Sequence, residues 1–242
     1  MTGHSGRTFS RFWKFARPKG VVGHRKVRIG GPNDGGYVMV DDFAGLEQAI
    51  SVGIGTDVSW DLDIAARGMQ VFQFDHTVNG PPAAHPRFRF RQVRLGVRSR
   101  PPAMLSLGDF LSECVGPVVG KIDIEGDEWP VFAEIDTPTL KRFRQLVIEF
   151  HFMALLTADV FFSRAFKAMK NINKTHQTVH VHGNNYSTMV EVGEFVLPDV
   201  VEITFASRSH YRFFDELTPY PTQLDAPNNP RAPDMPIGVF AP

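Results

Sequence analysis

The chain has 242 residues, 43% of them apolar and 21% charged, which fits one globular domain with a full core and excludes a disordered or fibrous protein. Formal net charge is zero, so no overall basic or acidic field selects a partner. A single cysteine, Cys114, excludes an intrachain disulfide framework. No leader-like apolar stretch or run of about 18 apolar residues is present, and the expectation is a cytoplasmic protein with no transmembrane segment.

The charge is unevenly placed. Eight of the 26 basic residues, from Arg7 to Arg28, precede the first acid, Asp34, leaving 18 basic against 26 acidic residues in the remainder. Residues 1–25 therefore read as a basic N-terminal arm, a candidate for weak contact with anionic surfaces. Within it, FSRFWKFA puts Phe9, Phe12, Trp13 and Ala16 on one helical face. This predicts a short amphipathic helix, packed on the body in preference to lying on a membrane. Residues 26–40, KVRIGGPNDGGYVMV, set two strand-like arms around a Gly/Pro/Asn/Asp turn and predict a hairpin. The surplus glycine suits backbone lying against a ligand, with Gly36 as the contact, and equally a loop open to solvent.

Next comes AISVGIGTDVSW, a buried strand over 49–52, a glycine turn and a helix over 58–67 stopped by Gly68. A second strand over 70–74 ends in Asp75 and His76. Strand, glycine turn, helix, strand and carboxylate is the way an open α/β sheet holds an adenosine cofactor. Gly53, Ile54 and Gly55 bring backbone to the ligand, and Asp75, 20 residues after Gly55, accepts from the ribose hydroxyls. Val58 stands where a dinucleotide fingerprint has its third glycine, and Asp57 would add negative charge beside a diphosphate. Both favour a cofactor with a cationic end and no phosphate, which is S-adenosylmethionine.

The remaining elements follow in order: a strand in FRFRQVRL, a helix over 106–114, a strand over 118–124, a helix over 127–135, a strand over 146–150, a helix over 158–170, and strands over 178–182 and 200–205. The last two lack a helical connection and are expected as an antiparallel pair at one edge. Residues 26–214 thus predict a Rossmann-like α/β domain, a seven-stranded mostly parallel sheet with helices on both faces. Residues 215–242 carry seven prolines and read as an extended tail, loosely attached unless its apolar residues dock.

Ligands of such sheets lie off the carboxyl ends of the strands. Those ends here collect Asp123 and Glu125 in KIDIEGDEW, Glu149 and His151 in VIEFH, and His180, His182 and Asn184 in VHVHGNN. Carboxylates and imidazoles gathered on one edge cost stability, which points to chemistry. His151 is the candidate base, Glu149 or Glu125 its support, and His182 and Asn184 the acceptor side; His180 reads as an ordinary edge-strand residue. The same group offers ligands to a divalent metal, but the spacing is not a compact ligand motif and the metal reading is not favoured.

RIGGPNDGGYVMVDDF, ISVGIGTDVSWDLDIAARGMQVFQFD, KIDIEGDEW and LVIEFH, in this order, resemble the FkbM-type and methyltransferase-like class I S-adenosylmethionine-dependent methyltransferases. The resemblance spans about residues 28–151 and rests most on the lysine-flanked D-I-E-G segment. It implies methyl transfer, commonly to oxygen of sugars or natural products, with a small-molecule or glycan acceptor. It also implies that Gly53 and Gly55 meet the methionine end, Asp75 the ribose, and that Asp123 closes the methionine side. Two other readings use the same sheet: a nicotinamide-dependent oxidoreductase, and a non-catalytic scaffold or binding module. The missing third glycine and the lack of a Tyr-x-x-x-Lys pair oppose the first. The polar strand ends oppose the second.

Overall fold

The computed structural model describes residues 6–240. Helix α1 (Gly6–Ala16) leads into a short strand, β1 (Lys19–Val21), and then the hairpin β2 (Lys26–Ile29) and β3 (Tyr37–Val40). The sheet proper begins with β4 (Gln48–Val52), α2 (Ser59–Ala66), β5 (Gln70–Phe74) and β6 (Phe88–Arg91). A two-residue pair, β7 (Arg94–Leu95) and β8 (Met104–Leu105), precedes α3 (Leu107–Leu111), β9 (Val118–Ile122), α4 (Glu128–Glu134), α5 (Thr137–Lys141) and β10 (Phe143–Phe150). Then come α6 (Asp159–Asn173), β11 (His176–Gly183), the hairpin β12 (Met189–Val192) and β13 (Phe195–Pro198), and β14 (Val201–Ser207). The tail adds β15 (Phe213–Asp215), β16 (Pro219–Tyr220) and β17 (Gly238–Val239).

The central sheet has the order β11-β14-β10-β9-β4-β5-β6. Neighbours from β10 to β6 are parallel, whereas β14 runs antiparallel to both β10 and β11. This is the predicted Rossmann-like, mostly parallel seven-stranded sheet. Side-chain alternation explains how one sheet supports two cores. In β4, Ile50 and Val52 join the larger cluster with Phe12, Phe110, Trp129 and Phe162, while Ala49 joins a second cluster with Ile29, Trp60 and Ile64. In β10, Leu146, Ile148 and Phe150 face the first cluster and Val147 the second.

The β2–β3 hairpin lies against the second face. Gln145, fully buried in β10, accepts from Val40 N (2.8 Å) and donates to Val40 O (2.9 Å). Thr204 Oγ1 of β14 donates to Val38 O at 2.7 Å. These side-chain bonds satisfy backbone groups of β3 that no neighbouring strand in the central sheet meets.

Several expectations need correction at element level. The helix expected over 106–114 is α3 alone; Ser106 caps it, its hydroxyl accepting from Asp109 N while the Asp109 carboxylate reaches back. FRFRQVRL splits into β6 and β7, which pair in different sheets. The strand expected over 118–124 stops at Ile122, so Asp123 and Glu125 sit on a loop. The last strands are antiparallel as expected, but β14 lies inside the sheet and only β11 forms the edge. The segment between them contains the hairpin β12–β13, which no sequence signal announced.

The first and last described segments, α1 and the tail up to Phe240, pack on the body. Phe12 and Ala16 of α1 are buried in the larger core, so its apolar face points inward and not toward a membrane. Residues 1–5 and the Arg7 side chain of the basic arm lie outside the described residues. The tail, expected to hang loosely unless its apolar residues docked, is tied down. Tyr220 is buried, and Ile237 and Phe240 pack on the larger core. His180 Nε2 donates to Asp225 Oδ1 (2.8 Å), His182 Nε2 to Asp234 Oδ1 (3.0 Å), and Asn185 Nδ2 to the carbonyl of Asn229 (3.0 Å).

Candidate functional site

The glycine turn after β4 is set by sterics. Gly53 has φ 74°, and a Cβ there would sit 1.5 Å from the Asp123 carbonyl oxygen, so no other residue fits. The turn is held by Gly53 N donating to Phe74 O (2.9 Å), Asp123 N donating to Val52 O (3.0 Å) and Lys121 Nζ donating to Gly53 O (2.7 Å). Gly55 has φ 49°, but a Cβ there would meet no protein atom within 4 Å. Its N–H donates to Asp75 Oδ2 at 2.9 Å. The Asp75 carboxylate also accepts from Thr77 N and Thr77 Oγ1, both at 2.7 Å. Burial alone would raise the Asp75 pKa, but these bonds outweigh it and hold the acid below its ordinary value.

A cavity of about 370 Å³ opens beside this turn. Val52, Phe74, Val93 and Leu95 make its apolar side, and Gly53, Gly55, Asp75, His76, Asp123 and Glu125 its polar side. Gly36, Ile54 and Asp57 are not in its lining. Ile54 belongs to the second core. Asp57 Oδ1 accepts from Ser59 N (2.7 Å) at the start of α2, in place of a side-chain cap from Val58. Gly36 closes the hairpin loop, where a Cβ would lie 2.0 Å from Gly31 O; Arg28 braces that loop by donating to Gly31 O (2.8 Å) and Asn33 O (2.6 Å).

A second cavity, about 320 Å³, is lined by Asp34, Asp123, Glu125, Glu149, His151, Asn184, Tyr186, Ser187 and Val200. It shares Asp123 and Glu125 with the first. His151 is its centre. Its Nδ1 donates to Glu128 Oε1 at 3.1 Å, and Glu128, fully buried, also accepts from Ile124 N and Gly126 N. That bond assigns the proton to Nδ1 and leaves Nε2 facing Glu125 Oε2 (3.3 Å), Glu149 Oε1 (3.9 Å) and Asp123 Oδ1 (4.0 Å). Trp129 Nε1 donates to the His151 carbonyl at 2.7 Å and fixes the backbone. Burial pushes the His151 pKa down, but the Glu128 bond and the surrounding carboxylates win and raise it.

The carboxylates pay mutually for their crowding. Burial is the main reason that Asp123 is raised to about 6, with Lys121 and His151 opposing it. Burial, then the charges of Asp123 and Glu202, push Glu149 well above the usual carboxylate range. Asn184 Nδ2 donates to Glu149 Oε1 (2.8 Å) and Tyr37 Oη to Glu149 Oε2 (3.5 Å). Glu125 is exposed and holds φ 54°, an unfavourable backbone angle for a non-glycine residue that places its carboxylate at the junction of the two cavities. One ligand atom each from Asp123, Glu125 and His151 lie within 4.8 Å of one another, close enough to share a cation.

The structure therefore brings together Asp123, Glu125, Glu149, His151 and Asn184. It does not bring His182 there. That ring is 2% exposed, with Nδ1 bonded to Glu202 Oε2 (3.0 Å) and Nε2 to Asp234, under the tail. Three participants had no assigned role: Glu128, which orients His151; Tyr37, which reaches Glu149 from the hairpin; and Asp34, at the cavity wall. Glu128 stood in view within KIDIEGDEW, but only its full burial at the start of α4 separates it from the solvated acids beside it.

No protein-family model matches the sequence, and no curated protein matches it. Solved structures with similarity include the Methanococcus jannaschii fibrillarin pre-rRNA processing protein, at 11% identity and TM-score 0.35, covering 78% of this chain and 84% of that one. The antibiotic-resistance methyltransferase Kmr gives 12% identity and TM-score 0.31 over 76% of this chain and 100% of that one. Spermidine synthase in complex with the transition-state analogue AdoDATO gives 8% identity and TM-score 0.32 over 78% and 71%.

Proposed function

We propose that the chain is an S-adenosylmethionine-dependent methyltransferase that methylates an oxygen of a hydroxylated small molecule or glycan. The observation that carries this reading is the junction of the two cavities at Asp123 and Glu125. One cavity has the features an adenosyl cofactor needs, and the other holds a base.

The residues present fit the cofactor. Gly55 leaves open the space a Cβ would take, Phe74 and Leu95 supply apolar wall, and Asp75 is an ionised acceptor. A carboxylate has about four acceptor positions, and Asp75 already accepts from Gly55 N, Thr77 N and Thr77 Oγ1, with the Ile54 N–H also directed at it. A ribose diol would therefore compete with these donors, the rotatable Thr77 hydroxyl first. Diphosphate is disfavoured, because Val58 is buried in the second core where a phosphate-binding helix would need glycine. When bound, the cofactor supplies an electrophilic methyl group on a sulfonium. His151 Nε2 then receives the proton of the acceptor hydroxyl, while Glu128 holds the ring and Asp123 and Glu125 stabilise the imidazolium. Asn184 and the exposed Tyr186 stand on the acceptor side.

Calorimetry with S-adenosylhomocysteine and with NAD tests the reading. S-adenosylhomocysteine should bind and NAD should not; the reverse would establish the oxidoreductase alternative, and no binding of either the scaffold one. Asp75→Ala should weaken S-adenosylhomocysteine by about 1.5–3 kcal/mol, the range of a charge-assisted hydrogen bond.

A further inference from the structure

The acceptor cavity is one-sided in charge. Four carboxylates line it, those of Asp34, Asp123, Glu125 and Glu149, against the His151 imidazole and no lysine or arginine. Lys121 stands 3.8 Å from Asp123 Oδ2 but lies outside the lining. Asp123 and Glu125 also face the cofactor cavity, where their charge answers a sulfonium and an ammonium. Asp34 and Glu149 line the acceptor side alone. Glu149 is 4% exposed, accepts from Asn184 and Tyr37, and is held toward its protonated form chiefly by burial. The carboxylate left for an acceptor is that of Asp34.

Asp34 is exposed on the loop between β2 and β3, yet it is not left to solvent. Its Oδ1 accepts from Gly35 N (3.2 Å) and from Asn228 Nδ2 (3.1 Å). Asn228, 194 residues later and 1% exposed, also donates from Nδ2 to Glu202 Oε1 (2.6 Å). Asn33 Nδ2 donates to Pro227 O (2.9 Å), so the tail grips the loop at two adjacent residues. Asp34 Oδ2 has no hydrogen bond or ion pair among the described residues. A solvated surface acid keeps its rotamer freedom and gains little from a buried anchor. A carboxylate with one oxygen fixed and the other unbonded, on the wall of a cavity, is a preorganised partner for a cation. Tyr186, 63% exposed on the same lining, offers a ring face that attracts the same charge. The cavity, about 320 Å³, is of a size that encloses one small molecule.

We propose that the acceptor is a hydroxylated amine of the amino-sugar type, whose ammonium group pairs with Asp34 while its hydroxyl meets His151 Nε2. This rests on the methyl-transfer reading above and narrows its acceptor. A C–O bond forms as the methyl–sulfonium bond breaks, S-adenosylhomocysteine leaves, and the hydroxyl proton passes to His151. The ammonium keeps its protons, has no lone pair and is not methylated. Asn228 is a positioning residue that acts through Asp34.

The probes are glucosamine and glucose, which differ by one ammonium in place of a hydroxyl. Each is titrated calorimetrically into the full chain saturated with S-adenosylhomocysteine. Glucosamine should bind, and glucose should bind about fivefold or more weakly. Asp34→Asn, at an exposed position, should bring glucosamine down to the affinity of glucose and leave that of glucose unchanged. Asn228→Ala should lose part of the same discrimination, a ratio that a loss of stability alone would not move. Equal binding of the two sugars, no binding of either, or full discrimination in Asp34→Asn overturns the proposal and leaves the methyltransferase reading standing. Failure of S-adenosylhomocysteine itself to bind overturns that reading, and this proposal with it.

Discussion

His151 illustrates how one residue acquires chemistry from its surroundings. Burial opposes its charge, but its ring is held by Glu128 on one side and faces the Asp123 and Glu125 carboxylates on the other, so it takes a proton more readily than a free imidazole. His151→Ala should lower turnover by about 10²–10⁴ while leaving S-adenosylhomocysteine affinity intact. For the methyl transfer proposed, the rate of the unsubstituted chain should climb with pH through an apparent pKa above 6.5, as the base loses its proton. A pH–rate profile checks the sign, and a fall over that interval would remove His151 from the role. The glycines separate by the same physical reading. Gly53→Ala drives a Cβ into the Asp123 backbone at positive φ and should destabilise the fold by about 2–4 kcal/mol. Gly55→Ala costs only the backbone term, about 1–2 kcal/mol, and should chiefly weaken S-adenosylhomocysteine. Thermal melts beside calorimetry distinguish the two. The gathering of Asp123, Glu125, Glu149 and His151 was legible from their place at strand ends, and Asn184 from its place after the edge strand; the same reasoning also gathered His182, which the tail takes away. Glu128 and Tyr37 were not, because pattern alone does not tell a buried partner from a solvated acid or a core aromatic.

At the scale of elements, the central parallel strands were legible because they are buried on both faces and read as largely apolar runs, as QAISV and VVGKI do, whereas the edge strand β6, FRFR, was legible from its alternation. Whether the tail docks was left open by the sequence; it docks through Tyr220, Ile237 and Phe240, as the apolar alternative required, and also through polar anchors that pattern did not show. His180, His182 and Asn185 sit on or just after the edge strand, and their partners lie more than 40 residues later, a separation that local pattern cannot bridge. This docking gives a pH prediction. His182 faces Glu202 from β14 and Asp234 and Asp225 from the tail, with His180 on its own strand; burial opposes its charge, yet the carboxylates raise its pKa to about 10. A histidine raised in the folded state contributes stability fully below its unfolded pKa of 6.5 and loses it as pH rises toward about 10. Protection factors of amides in residues 225–237, corrected for the base-catalysed intrinsic rate, should therefore fall between pH 7 and 10, and His182→Gln should flatten that change. Protection that grows across the same interval would contradict the assignment.

For the molecule as a whole, no described helix is long and apolar enough to cross a membrane, and α1 and the tail residues Ile237 and Phe240 are built into the same core. Phe12 of α1 packs 6.2 Å from Trp129 and 6.0 Å from Phe162, ring to ring, at 1% exposure. Phe12→Ala should cost about 3–5 kcal/mol of global stability, and denaturant unfolding should remain one transition. A second, earlier transition would mean that α1 is an appendage. The placement of β14 carries a kinetic consequence. Strands β10 and β11 follow one another among the strands of the sheet and run the same way, yet their backbones do not pair; a strand made after both lies between them, bridged at one end by the hydrogen bond between His176 Nε2 and Phe143 O (2.9 Å). Until residue 207 joins, β10 presents a bare edge in the middle of the future sheet, ready to capture a strand from another chain. Non-local pairing of this sort slows folding. The half-made protein is thus most exposed to swapping and aggregation where the finished one is most protected, and refolding yield should fall steeply with protein concentration.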